Sequence, residues 1–511
     1  MSTFGTLFRV TTFGESHCKG VGAIVDGVPP RLQITEEDIQ PQLNRRRPGQ
    51  SRITTPRNET DKVTILSGTE RGVALGTPIA LFVPNENVKP SDYAEMDTIP
   101  RPGHADYTYQ AKYGIRASSG GGRSSARETI GRVAAGAIAE KWLREEFDTE
   151  IVTFVSSVGS ISMNESIRFR NPITKRRWTR EDVDRRGTLV LLRDSSTGWV
   201  LLESNEKVNE KDIKEKQSLL DDTDDLNFIK AALSYEEIRK NGAQFGPPCY
   251  EDIDGKVYDR KGIVLEGVVA TKSNRSNDVI AVRCPDTSSA ARMATLIREV
   301  KAAKDSIGGT LTTIVSSVPI GLGEPCFDKL EAKLAHAMLS LPATKAFEIG
   351  AGFEGTKMRG SEHNDVFVIA KEHRKNEESK HQDTSITTTA TTTATATTTA
   401  TTTTTITTPL LRTLTNNAGG TLGGITNGAD LIFRVAIKSV STISRPQETA
   451  GYDGKKCILE AKGRHDPCVL PRAPPLIEAM TALVLADAAL IQRSRGMPLQ
   501  TLPQEVEEDE Y

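Results

Sequence analysis

The chain has 511 residues with 65 basic and 67 acidic side chains, a formal net charge of −2, and 37% hydrophobic against 26% charged residues. That balance excludes a global field steering the protein to nucleic acid, so anion recognition has to come from local clusters. The apolar share is that of a soluble globular protein, and the length suggests about three domains unless insertions inflate a smaller number.

The six cysteines, Cys18, Cys249, Cys284, Cys326, Cys457 and Cys468, form no CxxC pair and read as reduced thiols. The N-terminus has no basic segment leading into an apolar run, and no uninterrupted 18-residue apolar stretch occurs. A cytoplasmic location without membrane attachment is the expectation.

In chain order, residues 4–30 alternate β-branched or aromatic residues with glycines around the loop GESH, predicting two short strands with Ser16 and His17 in the turn. After a short capped helix, RRRPGQSRITTPR places Arg45, Arg46, Arg47, Arg52 and Arg57 within 13 residues. No aromatic platform accompanies them, which argues against nucleic acid. Clustered guanidiniums suit a small polyanion, because each binds carboxylate or phosphate bidentately. Residues 63–83 predict a strand pair, and RPGHADYTY sets Arg101 and His104 in a Pro-Gly loop.

The most organised stretch is GIRASSGGGRSSARETIGRVAAGAIAEKWLREEF, residues 114–147. Gly120, Gly121 and Gly122 feed a helix whose apolar residues Ile130, Val133, Ala134, Ala137, Ile138 and Trp142 recur at helical spacing. Ser125 and Glu128 have the spacing of a capping box. Arg123 and Arg127 flank the amide-rich helix start, a ready anion site.

Residues 162–279 are charged and read as a decoration with little chemistry, including a hairpin over 186–203 and a helix over 225–240. Core character returns over 280–325, followed by a helix with Leu330, Leu334 and Met338 on one face and His336 in a packing or surface role. The nearly pure Thr/Ala tract 384–408 has no amphipathic period and predicts a disordered insertion. The glycines of NNAGGTLGGITNG enter a strand and not a helix, so they are no dinucleotide fingerprint; Walker A and HExxH patterns are absent, and no metal site is expected. Arg464, His465 and Asp466 then form a polar turn ahead of a strongly apolar helix.

Taken in order, FGESH, VDGVPP, RRRPGQSR, RPGHADYTY, SSGGGRSSARET, VRCPD, DSIGG, GLGEP, GSEHND, NAGGTLGGITNG and GRHDPC resemble the chorismate synthase family. The resemblance implies an α+β fold, a βαβ sandwich of antiparallel sheets around helices. It covers core segments 1–161, 280–372 and 410–497, leaving 162–279 and 373–409 as insertions and 498–511 as an acidic tail. It also implies a homotetramer. The implied reaction is the 1,4-anti elimination of phosphate from 5-enolpyruvylshikimate 3-phosphate to give chorismate. Reduced FMN is the implied cofactor, with NADPH a candidate reductant because the family contains members that reduce their own flavin and members that do not.

Residue by residue, the resemblance makes His17 the acid for the leaving phosphate and sets His104 against the reduced flavin. Asp466 joins a proton relay with Ser16 and Ser125 as hydroxyl neighbours. Arg46, Arg47, Arg52, Arg101 and Arg127 match substrate contacts. Arg123, Ser124, Ser125, Ala343, Gly423, Lys438, Ser439, Val440, Ser441, Thr442 and Arg464 match flavin contacts. Two departures stand out. Cys18 replaces a glycine, at a cost of about 1 kcal/mol if φ is positive there. KSVST replaces a KPTSS-like run and so loses a proline and a hydroxyl. A flavin-binding protein without lyase activity is the alternative reading.

Overall fold

The computed structural model describes residues 2–51, 53–55, 57–87, 96–117, 120–192, 202–204, 249–265, 268–270, 275–370, 386–390, 404–408, 410–461, 463 and 465–502. Burial alternates along the strands Ile79–Pro84 and Leu431–Ile437, one face apolar and packed, the other more open. Those strands belong to two antiparallel five-stranded sheets. The first runs Thr3–Phe4, Arg9–Gly14, Gly20–Asp26, Ile79–Pro84, Thr64–Ser67. The second runs Thr344–Ile349, Leu431–Ile437, Gly309–Ser316, Glu150–Val158, Ile161–Ser162, with Gly309 paired to both Ile437 and Val158.

Between the sheets lie two long helices. Thr129–Phe147 packs on the first sheet, Pro474–Ser494 packs on the second, and the two pack on each other. The architecture is therefore the expected α+β sandwich of antiparallel sheets around helices. A Cβ on Gly136 would lie 2.5 Å from Ala479 Cα, so the close approach of the two helices requires a glycine there. The helix Pro474–Ser494 is long and apolar enough to cross a membrane by length and composition, yet most of it is buried in the core. Near the N-terminal end of this helix Glu478 is fully enclosed. It accepts from Gln42 Nε2 (3.1 Å) and Thr153 N (3.1 Å) and pairs with Arg45. Burial alone would raise its carboxyl, but Arg180 and Arg45 hold it below the usual carboxylate range.

The charged region contributes more than a decoration. Trp178, Val183, Leu189, Leu191, Tyr250 and Tyr258 join the main hydrophobic core, and Arg180 pairs with Glu140 while donating to Ile151 O (2.8 Å) of the second sheet. The expected 186–203 hairpin is not formed. Thr188–Leu192 pairs instead with Cys249–Glu251 and Arg275–Ala281, while Leu202–Ser204 pairs with Val268–Ala270. An apolar strand accepts near or distant partners alike, and the long-range choice left no local trace. The helix expected at 225–240 lies outside the described residues. In the Thr/Ala tract, the described segments Ile386–Ala390 and Thr404–Thr408 pair as an antiparallel ladder where disorder was expected, in keeping with the strand preference of threonine. His336 packs against Phe4, ring centroids 5.7 Å apart.

Candidate active site

The glycine loop runs into two turns of 3-10 helix, Gly122–Ser124 and Ala126–Glu128, before the long helix begins at Thr129. The expected capping box does not close. Ser125 Oγ accepts from Arg127 N at 3.3 Å, but Glu128 turns to Arg132 at 3.1 Å, because an ion pair one helical turn on competes for the carboxylate. Arg123 is anchored on the first sheet, donating to Gly14 O (2.9 Å) and Thr12 Oγ1 (2.5 Å), and Ser124 Oγ donates to Gly121 O (2.6 Å). Ser16 Oγ lies 2.9 Å from His17 Nδ1, and a Cβ on Gly120 would come within 2.5 Å of that nitrogen. Only glycine leaves room for the imidazole this close to the loop.

The Pro-Gly loop is built around a residue that sequence reading passed over. Asp106, buried at the start of helix Asp106–Tyr113, accepts from Arg101 Nε (2.7 Å) and Nη2 (2.8 Å) and from His104 Nδ1 (2.8 Å). Burial alone would raise its carboxyl, but the hydrogen bonds from Arg101 and His104 hold it well below the usual range. Its two-residue spacing from His104 was the available signal. The KSVST run closes the loop from the other side: Lys438 Nζ (2.9 Å) and Ser441 Oγ (2.7 Å) both donate to Gly103 O, and Arg101 Nη1 donates to Thr442 Oγ1 (3.3 Å). Burial and the neighbouring Lys345 lower the Lys438 ammonium.

A second missed organiser is Asp61. Its carboxylate bridges Arg46 Nη1 (3.0 Å) and Arg127 Nη1 (2.5 Å), with Glu59 at 3.5 Å from Arg127. Arg46 also donates to Ala126 O (2.6 Å), which ties it to the glycine-loop helix. Burial, partly offset by Asp61, lowers its guanidinium to about 10. Asp466 accepts from Thr55 N (2.9 Å) and pairs with Arg472 Nη2 (3.0 Å).

These elements wall a cavity of about 1060 Å³. Of the expected site residues, Arg46, Arg101, His104, Arg123, Ser124, Ser125, Ala343, Lys438, Val440, Ser441 and Thr442 line it. His17 and Ser16 pack against Gly120, which lines it, and Asp466 reaches it through Arg472. Arg127 is held behind the lining on Asp61, and Arg47 and Ser439 are not among the lining residues. Gly423 is not brought to this cavity: it sits in the tight turn between Thr421–Leu422 and Ile425–Thr426, whose next residue, Gly424, packs on Glu324 and Lys329. Arg52 and Arg464 lie outside the described residues.

A family profile described as chorismate synthase matches residues 8–490. This chain belongs to the chorismate synthase family. It is 46% identical over 503 residues to the chorismate synthase of Schizosaccharomyces pombe, covering 98% of this chain and 99% of that one. It is 47% identical over 495 residues to that of Saccharomyces cerevisiae, covering 97% and 98%. A solved chorismate synthase crystal structure is similar with a TM-score of 0.54 and 25% identity, covering 96% of this chain and 93% of that chain.

The departures from the chorismate synthase pattern are absorbed locally. Cys18 does not take positive φ, so the expected strain does not arise. Its thiol bonds Glu15 O (3.1 Å) and Gly20 O (2.9 Å), closing the turn that carries His17. At KSVST, Val440 offers its carbonyl to Ser306 Oγ (2.6 Å), a serine of the DSIGG motif, which steadies the loop without the proline.

Proposed function

We propose that this chain carries out its family's reaction, eliminating phosphate from 5-enolpyruvylshikimate 3-phosphate to form chorismate, the last step of the shikimate pathway. The observation that carries this reading is the charge of the cavity. Among the described residues, Arg46, Arg101, Arg116, Arg123, Arg132, Arg472 and Lys438 line it against Glu15, Asp106 and Glu128, an excess of positive charge in the lining although Arg46 and Arg472 are also paired to Asp61 and Asp466. A substrate with one phosphate and two carboxylates matches that excess. The volume is at the upper end of the roughly 300–1,000 Å³ typical of small-molecule sites, which suits a substrate lying on a cofactor.

The donor set also fits reduced FMN. Arg123, Ser124, Ser125, Ala343, Lys438, Val440, Ser441 and Thr442, which line the cavity, are the residues that would hold it. Reduced flavin held there would supply electron density for the elimination, with no net redox change. The protein's own part is positioning and proton handling. His17, oriented through Nδ1 by Ser16, delivers the proton to the leaving phosphate. His104 is set where it balances negative charge on the cofactor. Asp466, oriented by Arg472 and Thr55 N, accepts a proton in the relay that includes Ser16 and Ser125. Arg46 and Arg101, which line the cavity, bind the substrate anion, with Arg127 held behind the lining on Asp61.

NADPH as reductant, a cytoplasmic location and a homotetramer are part of the same proposal. For self-association, Phe13 and Ile24 share the outer face of the first sheet with Phe82, and both are exposed. Light scattering on the purified chain measures the assembly. The decisive experiment is chorismate formation from the enolpyruvyl substrate and FMN, run anaerobically with dithionite and separately with NADPH alone. Product in both supports a lyase that reduces its own flavin, and product only with dithionite leaves a lyase dependent on an outside reductant. FMN binding without product in either would favour the flavin-binding alternative.

A further inference from the structure

We infer that Asp106 is a positioning residue that sets the protonated nitrogen of His104 and, through the same carboxylate, the orientation of Arg101. The consequence for catalysis rests on the reading above, in which His104 and Arg101 face cofactor and substrate.

The argument is one of donors and acceptors. An ionised carboxylate offers about four lone-pair sites and no proton. All four are taken here: Oδ1 by His104 Nδ1 (2.8 Å) and Arg101 Nη2 (2.8 Å), Oδ2 by Arg101 Nε (2.7 Å) and Arg101 N (3.1 Å). Arg101 is 7% exposed and Asp106 4% exposed, so water does not substitute for any of these partners. Placement at the start of the helix Asp106–Tyr113 adds the favourable end of the helix dipole to the anion. The lowered carboxyl already described is the same effect seen from the acid's side.

A saturated acceptor accommodates only N–H groups. His104 must therefore carry a proton on Nδ1, which leaves Nε2 as the nitrogen presented elsewhere. That nitrogen accepts a hydrogen bond when the ring is neutral and donates one when it is charged. Arg101, fixed by Nε and Nη2, keeps Nη1 for Thr442 Oγ1 (3.3 Å) and the cavity. One buried carboxylate thus aligns two functional side chains at once, and the clamp from Lys438 and Ser441 on Gly103 O keeps their loop in register.

The substitution Asp106→Asn separates this role from simple packing. Its amide has one oxygen and one NH2, and Arg101 has no acceptor to offer an NH2. In the Oδ1 place the NH2 opposes one Arg101 donor, Nη2, and in the Oδ2 place it opposes two, Nε and N, so the oxygen faces Arg101 Nε and N and the NH2 faces His104 Nδ1. That nitrogen must then accept, and the proton moves to Nε2.

The test is solid-state NMR on the full chain with 15N-labelled histidine, without added flavin, the His104 signals being assigned by their loss in His104→Gln. In the wild-type chain His104 is expected to show a protonated Nδ1, and in Asp106→Asn an unprotonated Nδ1 with protonated Nε2. An unprotonated Nδ1 in the wild-type chain would overturn the inference even if the variant failed to fold, and so would an unchanged proton position in a folded variant. The dithionite assay is run alongside. A reversed tautomer with kcat lowered by roughly 10²-fold and a smaller change in KM supports both the inference and the placement of His104 at the reacting centre. A reversed tautomer with unchanged turnover supports the inference and counts against that placement.

Discussion

Asp61 holds two of the arginines assigned to substrate while itself sitting at φ 48° with 1% exposure. Removing one partner of a buried ion pair leaves the others desolvated and uncompensated, at a cost of ~3–5 kcal/mol. Asp61→Ala should therefore lower the urea-unfolding free energy by that amount, and a loss under 1 kcal/mol would mean Arg46 and Arg127 find new partners. Asp106 makes a pH-dependent contribution of determinate sign. Its folded carboxyl is lowered relative to the unfolded value near 3.9, so its contribution is complete above that value and disappears as pH falls through the lowered one. The stability gap between wild type and Asp106→Asn should shrink as pH falls below about 4; unfolding midpoints on either side of that value measure it. Neither residue was legible as functional. Asp61 meets Arg127 across 66 positions, and nothing in its neighbours marks it. His17, His104 and Asp466 were singled out because each lies in a short polar turn of family-like wording.

At the scale of elements, apolar period and glycine placement carried well. The helix after the glycine loop begins four residues later than Ser125, because Ala126–Glu128 winds as 3-10 helix and Glu128 prefers Arg132. The charged region misled for a related reason. Its Arg180 and Trp178 look like surface residues in isolation but pair with Glu140 and complete the core, partners that lie far away in sequence. The helix pair offers a direct test. Gly136→Val puts branched carbons where Ala479 Cα already sits 2.5 Å from a Cβ position. Overpacking of this kind costs ~1–3 kcal/mol. The variant should melt several degrees lower by circular dichroism, and an unchanged melting temperature would show that the helices slide apart without penalty.

At the scale of the whole molecule, the Thr/Ala tract hangs from a closed stem. Phe367–Ile369 pairs with Leu411–Thr413, and Ala370 N donates to Leu410 O at 2.9 Å, so the two ends of the tract are already side by side. Among the described residues, none that lines the cavity comes from it. Replacing 384–408 by a short Gly-Ser turn should leave chorismate formation and thermal stability unchanged, since loop length enters stability only logarithmically. A fall in turnover with an intact melting transition would assign the tract a part in catalysis.

The cavity draws its walls from Ser2, Glu15 and Arg46, from 101–132, from 340–343, from 437–442 and from 469–476. During synthesis, then, a chain can have finished its first sheet, its glycine loop and its Asp106 clamp and still lack the wall that Arg472 and Leu476 supply. Ligand capture has to wait for the last helix to leave the ribosome. The same arrangement means that whatever fills the cavity ties the two ends of the translated chain together, so a bound ligand should slow unfolding of the entire sandwich and not of one lobe alone.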